Sequence, residues 1–209
     1  MKNIPLLLVL GFALSLCNLS NKLKQATNSG DSGTSTADSS DTGGSAVERG
    51  EPTAAQRAAL EGGQEIKWDQ QGMSWTVPAK WRESSKESKM FVWSAPGTTT
   101  SLIVNISTMD ESFPTEVSLK AFYDGAKTRA KNGEVDELKW VEIDGLKGVQ
   151  FRESKPEQPD GIRRLQWLAY RKFAGQVQMV NLMLASQGKD FESSQDAMYG
   201  VLYSTKLVH

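Results

Sequence analysis

The chain runs to 209 residues, yet it contains one cysteine and one histidine. A single Cys excludes an internal disulfide, and the two residues together fall short of a structural zinc site. The histidine is the last residue, His209, so the body of the chain holds no Ser–His or Cys–His nucleophilic arrangement. An excess of charge of one sign is missing too. There are 24 Lys+Arg against 25 Asp+Glu, a formal net charge of −1. That balance excludes a basic nucleic-acid footprint and an acidic solvating protein. No apolar run reaches the roughly 20 residues that span a bilayer. Gly43-Gly44 and Gly62-Gly63 sit in polar stretches rather than after strands, so no phosphate-cradling loop is present. The carboxylate pairs Asp110-Glu111 and Asp136-Glu137 flank element ends and read as solvated loop charges. Arg163-Arg164 and Arg171-Lys172 stand at the two ends of one strand and read as charges that keep a strand edge soluble. The expectation is a non-catalytic protein with no cofactor and no metal.

What is present divides sharply along the chain. Residues 1–16 open with Lys2 and continue as an apolar run from Ile4 to Leu16, broken by Pro5, Gly11 and Ser15. This is the length and pattern of a secretory signal peptide. Leu14-Ser15-Leu16-Cys17 resembles a bacterial lipobox, with the sole cysteine, Cys17, at the lipidated position. Leu16 stands where that pattern places Gly, Ala or Ser, and Ala13-Leu14-Ser15 offers a competing cut. Residues 27–46 consist of Ser, Thr, Gly, Asp and Asn apart from two Ala. Such a segment has no apolar surface to offset the ordering entropy of roughly 1–2 kcal/mol per residue. The segment 17–63 therefore reads as a disordered tether, with a short helix over 52–61. The tether suits a lipid anchor at Cys17 that holds a domain off a membrane.

All six Trp lie beyond residue 63, which places the folded domain at 64–209. Ile66 and Trp68, then Met73, Trp75 and Val77, alternate with polar residues across Gln70-Gln71-Gly72 and predict a hairpin. Met90–Trp93 and Leu102–Met109 follow as strands. Leu119, Phe122, Tyr123, Ala126 and Ala130 form one helical stripe behind Ser118 as N-cap, and Asn132-Gly133 stops it. Leu138–Ile143 and Gly148–Arg152 are strands about the turn dipeptide Asp144-Gly145. A long hairpin over 162–173 and 177–186 comes next. A final helix capped by Asp190 turns Phe191, Met198, Val201 and Leu202 inward. Both faces of 177–185 are largely apolar, which predicts a strand covered on both sides. The fold class is α+β: an antiparallel sheet sandwiched between helices, preceded by a disordered linker. Trp68 and Trp75 fall on apolar faces and read as core, and Trp140 is the tryptophan to check for exposure.

The run Gly72-Met-Ser-Trp-Thr-Val-Pro-Ala-Lys-Trp81 resembles the opening signature of the PsbP-like and DcrB-like group, which includes the nuclear Ran-binding Mog protein. The resemblance covers about 64–209 and implies an α/β/α sandwich. It brings no catalytic motif, and its bacterial members include secreted proteins and lipoproteins. The expected role is a membrane-tethered envelope lipoprotein whose domain binds or assembles with a protein partner, without nucleic acid. The alternative is a secreted enzyme or a small-ligand binder, carbohydrate included, that uses the sheet face. Asn105 and Asn181 interrupt the two most apolar strands. A buried amide without partners costs roughly 1–3 kcal/mol, so each must find an internal bond or floor a polar pocket under a helix.

Overall fold

The computed structural model describes residues 46–208. The expected signal peptide, Cys17 and the tether as far as residue 45 lie outside the described residues. Among the described residues no helix is long and apolar enough to cross a membrane.

An eight-stranded sheet dominates. In chain order its strands are β1 (Glu48–Arg49), β4 (Arg82–Lys86), β5 (Met90–Ser94), β6 (Ser101–Met109), β7 (Val135–Ile143), β8 (Leu146–Glu153), β9 (Ile162–Phe173) and β10 (Gln176–Gln187). They lie side by side as β1-β7-β8-β9-β10-β6-β5-β4. All pairings are antiparallel except the two-residue parallel pairing of β1 with β7. The predicted opening hairpin forms, but in a separate small sheet: β2 (Gln64–Trp68) and β3 (Met73–Val77) join β11 (Lys206–Leu207). Among the described residues there are three α-helices: α1 (Ala54–Ala58), α2 (Thr115–Lys131) and α3 (Gly188–Tyr203).

Two cores follow from strand alternation. On one face of the large sheet, Leu102, Val104, Val180, Leu182, Leu165 and Trp167 pack with Phe191, Met198 and Leu202 of α3 and with Trp68 and Trp75 of the small sheet. Trp68 and Trp75 each stack on Phe91 at a 5.4 Å centroid separation. The reading of these two as core holds. On the other face, Leu119 and Ala126 of α2 cover Val149, Phe151 and Leu168, and their cluster extends to Met179. Trp140 is half-buried under α2, with its ring stacked on Tyr123 at 4.8 Å and Lys147 4.7 Å away.

Several local expectations are corrected. The folded unit begins before residue 64. Gly50 N–H donates to Glu142 O at 2.8 Å, extending β1 along the β7 edge. Thr53 and Gln56 form a reciprocal capping box that starts α1, and Leu60 packs on the larger core. So the part of the expected tether from 46 to 63 is a strap docked on the domain. Helix α2 starts at Thr115, ahead of Ser118, whose hydroxyl instead meets the Tyr170 hydroxyl at 2.8 Å. Helix α3 starts at Gly188, ahead of Asp190, because two backbone carbonyls cap it: Gly161 O accepts from Gly188 N–H at 2.8 Å and Pro159 O from Lys189 N–H at 2.9 Å. The polar strand β4 lacked the apolar alternation that marks strands. Asp144 and Gly145, both at positive φ, make the expected two-residue turn.

Strand β10 is covered along one side and only partly along the other, where Val177 and Ala185 at its ends are buried. Val180, Leu182 and Leu184 are fully buried, while Met179, Asn181 and Met183 on its other face are half-buried. Helix α2 shelters β7, β8 and β9, and among the described residues no helix lies over the same face of β10, β6 and β5.

Candidate functional site

Two surfaces concentrate side chains that the fold does not use up. The first is the sheet face beside α2. There Asn181 pairs directly opposite Asn105 across β10 and β6, so the two amides expected to act separately share one spot. Gln166 Nε2 donates to Asn181 Oδ1 at 2.7 Å. Both asparagines are half-buried, and around them stand Met90, Val92, Ile103 and Met183, half-buried as well. Cross-strand pairing sets the patch: Met90 faces Asn105, Val92 faces Ile103, and Met183 faces Ile103 from the other side. The amides sit on an open apolar sheet face, not beneath a helix.

The second is a polar cleft at the opposite end of the sheet, on the α3 side. Alternation along β7 sends Glu137 and Lys139 to the same face as Val141 and Ile143. Register with β8 sets Glu137 against Arg152 and Lys139 against Gln150. Where the core face would be apolar, these four residues make it charged. Helix α3 meets them with Gln195, Tyr199 and Tyr203, and the strap closes the side with Glu48, Thr53 and Gln56. The cleft has a volume of about 330 Å³.

Its groups hold one another. Tyr199 donates to Glu137 Oε2 at 2.7 Å and Gln150 Nε2 donates to Glu137 Oε1 at 2.6 Å. Gln150 is fully buried, and its Oε1 accepts from the Tyr203 hydroxyl at 3.0 Å. Arg152 reaches Asp136 through Nε at 2.7 Å, and its Nη1 points to Tyr199 and Gln195 at 3.3 and 3.4 Å. Lys139 Nζ lies 3.1 Å from Glu48 and 3.7 Å from Glu137. Behind them the buried Arg163 pairs with Asp136 and, at 2.6 Å, with Glu192.

Burial raises the Tyr199 phenol far above its ordinary range, and the adjacent Glu137 carboxylate adds to this. Burial also raises Tyr203. Desolvation pulls the Lys139 ammonium down, but Tyr203, Glu48 and Glu137 outweigh it and hold its pKa above the usual lysine value. Both phenols are thus fixed hydrogen-bond donors, and the ammonium is a fixed cation. Among the described residues no group of acidic, Cys or His side chains could hold a metal ion.

These positions revise the sequence expectations for the charge pairs. Asp136 and Glu137 are not loop charges: both lie within β7 at a bulge between Val135 and Glu137, where the exposed Asp136 and the half-buried Glu137 join the ion network. Glu111 does stay in solvent, 87 % exposed. Arg163 and Arg171 are buried rather than edge charges, at 4 % and 8 % exposure. Among the described residues Arg171 has no anionic partner: it donates to Gln71 O and to Gln178 Oε1, and its Nη1 is unpaired. The cleft itself went unread. Its one signal was the charged Glu137 and Lys139 in phase with Val141 and Ile143.

No protein-family model matches the sequence, and no curated protein matches it significantly either. Solved structures do match. LpqN of Mycobacterium tuberculosis, described as involved in cell envelope biogenesis, aligns with a TM-score of 0.50 at 15% identity, over 70% of this chain and 86% of its own. The cyanobacterial PsbP of Synechocystis aligns at 0.44 and 12% identity, over 69% of this chain and 92% of its own. The Ran-binding protein Mog1p of Saccharomyces cerevisiae aligns at 0.40 and 13% identity, over 70% of this chain and 95% of its own. Each likeness concerns the fold alone, and that fold is the PsbP-like one that the Gly72–Trp81 run led one to expect.

Proposed function

We propose, from a PsbP-like domain behind an export-type leader and a polar spacer, that the protein is a non-catalytic envelope lipoprotein. It is anchored through Cys17, and its domain docks a protein partner. One observation carries the docking part: the sheet face of β10, β6 and β5 that α2 leaves open. Met90, Val92, Ile103 and Met183 form a half-buried apolar patch there, with the Asn105–Asn181 pair at its centre. Methionine-rich faces adapt to partner shape, and a central polar pair sets register within an apolar contact. The pre-paired acids and bases of the polar cleft support binding over catalysis, since a general base needs an unengaged group that titrates near neutrality.

Membrane fractionation of the native host checks the anchor. The parent protein is expected in the membrane fraction and Cys17→Ser in the soluble one; mature protein lacking an acylated Cys17 by mass spectrometry would refute it. For the docking face, Met183→Lys should keep the thermal transition of the parent yet lose the partner recovered by cross-linking in the intact envelope. A cross-linked partner retained by that variant would move the docking site elsewhere.

A further inference from the structure

We infer that the polar cleft beneath the strap is a binding site for a neutral sugar. It is distinct from the docking face, on the other side of the sheet. At about 330 Å³ it lies at the lower end of small-molecule sites, which run to about 300–1,000 Å³. Its charges cancel: Arg49, Lys139 and Arg152 against Glu48, Glu51 and Glu137, three of each sign. An anion entering the cleft meets the strap carboxylates, a cation meets the guanidinium and ammonium groups, and an apolar molecule strips water from all of them. A neutral ligand rich in hydroxyl groups meets none of these penalties.

The unfilled hydrogen-bond positions fit the same class. Gln56 uses its Oε1 to cap the start of α1, and Gln195 uses its Oε1 to accept from Arg152. The amide NH₂ groups of Gln56 and Gln195 carry no protein hydrogen bond among the described residues. Among the described residues the Glu51 carboxylate on the strap has only Arg49 as an ionic neighbour, at 3.9 Å, and remains open as an acceptor. Free donors with an open carboxylate match hydroxyl groups, which accept and donate at once. Tyr203, half-buried and tilted at 50° to the buried Tyr199 behind it, adds aromatic surface for the C–H side of a ring. The strap is part of the site, and two glycines hold it there. A Cβ on Gly200 would meet Gln56 O at 2.8 Å, and one on Gly50 would meet Ile143 Cγ1 at 2.9 Å.

The test is titration calorimetry on the full chain in a detergent without a sugar headgroup. The probes are glucose, galactose, N-acetylglucosamine and maltose, with inorganic phosphate and choline as anionic and cationic controls. Saturable binding of at least one sugar is expected, at a Kd of about 0.1–10 mM. Gln195→Glu and Gln56→Glu keep the accepting oxygen and lose the donating NH₂. Each should weaken that binding about tenfold while leaving the thermal transition in place. Three results overturn the inference: no saturable sugar binding, binding of phosphate or choline in place of sugars, or sugar binding that both variants leave unchanged. Membrane anchoring and Met183→Lys report on the docking reading independently.

Discussion

Ala174 carries a backbone strain that a single substitution relieves. It sits at φ 50° in the turn between β9 and β10, followed by Gly175 at φ 75°. A left-handed conformation costs a non-glycine residue about 1–2 kcal/mol, and glycine gives back about 0.5–1 kcal/mol through its unfolded-state entropy. Ala174→Gly should therefore stabilise the domain by about 0.5–1 kcal/mol, read as a raised urea midpoint. Gly148 is the opposite case. A Cβ there would lie 2.4 Å from Trp167 Nε1 and 2.6 Å from Leu168 O, where the indole N–H donates to Val141 O at 3.2 Å. Backbone on one side and a fully buried indole on the other leave no room to yield. Gly148→Ala should cost about 3 kcal/mol, and a loss within about 0.5 kcal/mol would mean the sheet relaxes there. Titration supplies a third test. Burial raises Tyr170, Tyr199 and Tyr203 above the ordinary phenol value of 10.0. The folded chain keeps these protons where the unfolded chain sheds them, so the stability they contribute is present below pH 10.0 and lost as pH rises beyond it. Arg171 works in reverse: burial lowers it to about 10, and losing its proton relieves the fold above that pH. With three phenols against one guanidinium, stability should fall above pH 10, and less steeply in Tyr199→Phe. Urea midpoints at about pH 9 and about pH 10.5 decide it.

At the scale of elements the strap matters most, because its sequence looks like linker and its structure is part of the domain. Gln, Arg, Ala and Thr give 52–59 little apolar surface of their own, and a five-residue helix is marginal alone. Its order comes from outside itself, through the β7 edge, the α3 surface at Gly200 and the Leu60 contact. A chain starting at residue 64 should therefore be less stable than one starting at 46 by about 2 kcal/mol, or about 6 °C in Tm. Gly200→Ala should shift Tm in the same direction by expelling α1. Equal transitions for the two truncations would show the strap docked without energetic consequence. The helix starts teach the same lesson. Ser118 and Asp190 are good caps by type, but Pro114 and the carbonyls of Pro159 and Gly161 begin the helices a few residues earlier. Local chemistry nominated a cap, and a neighbouring loop supplied a better one.

Across the whole molecule, alternation along a strand is local, so the sequence by itself determined most strands, both long helices and the Asp144-Gly145 turn. It determined that the tryptophans of the first hairpin are core, and it pointed to a PsbP-like fold through Gly72–Trp81. Three things it could not decide, because each depends on which element lies against which. The hairpin at 66–77 reads the same whether it joins the large sheet or makes its own; only the closure by β11 from the far end of the chain settled that. Both faces of β10 are apolar enough to be covered, and the finite width of α2 left one of them open around Asn105 and Asn181. Glu137, Lys139, Gln150 and Arg152 each look like an isolated polar residue in its own segment. The register of β7 on β8, with α3 and the strap closing over them, made one cleft of residues up to some 150 positions apart in the chain. Patterning is written in neighbouring residues, whereas a site is written in contacts between distant ones, and those contacts exist only after the sheet has closed.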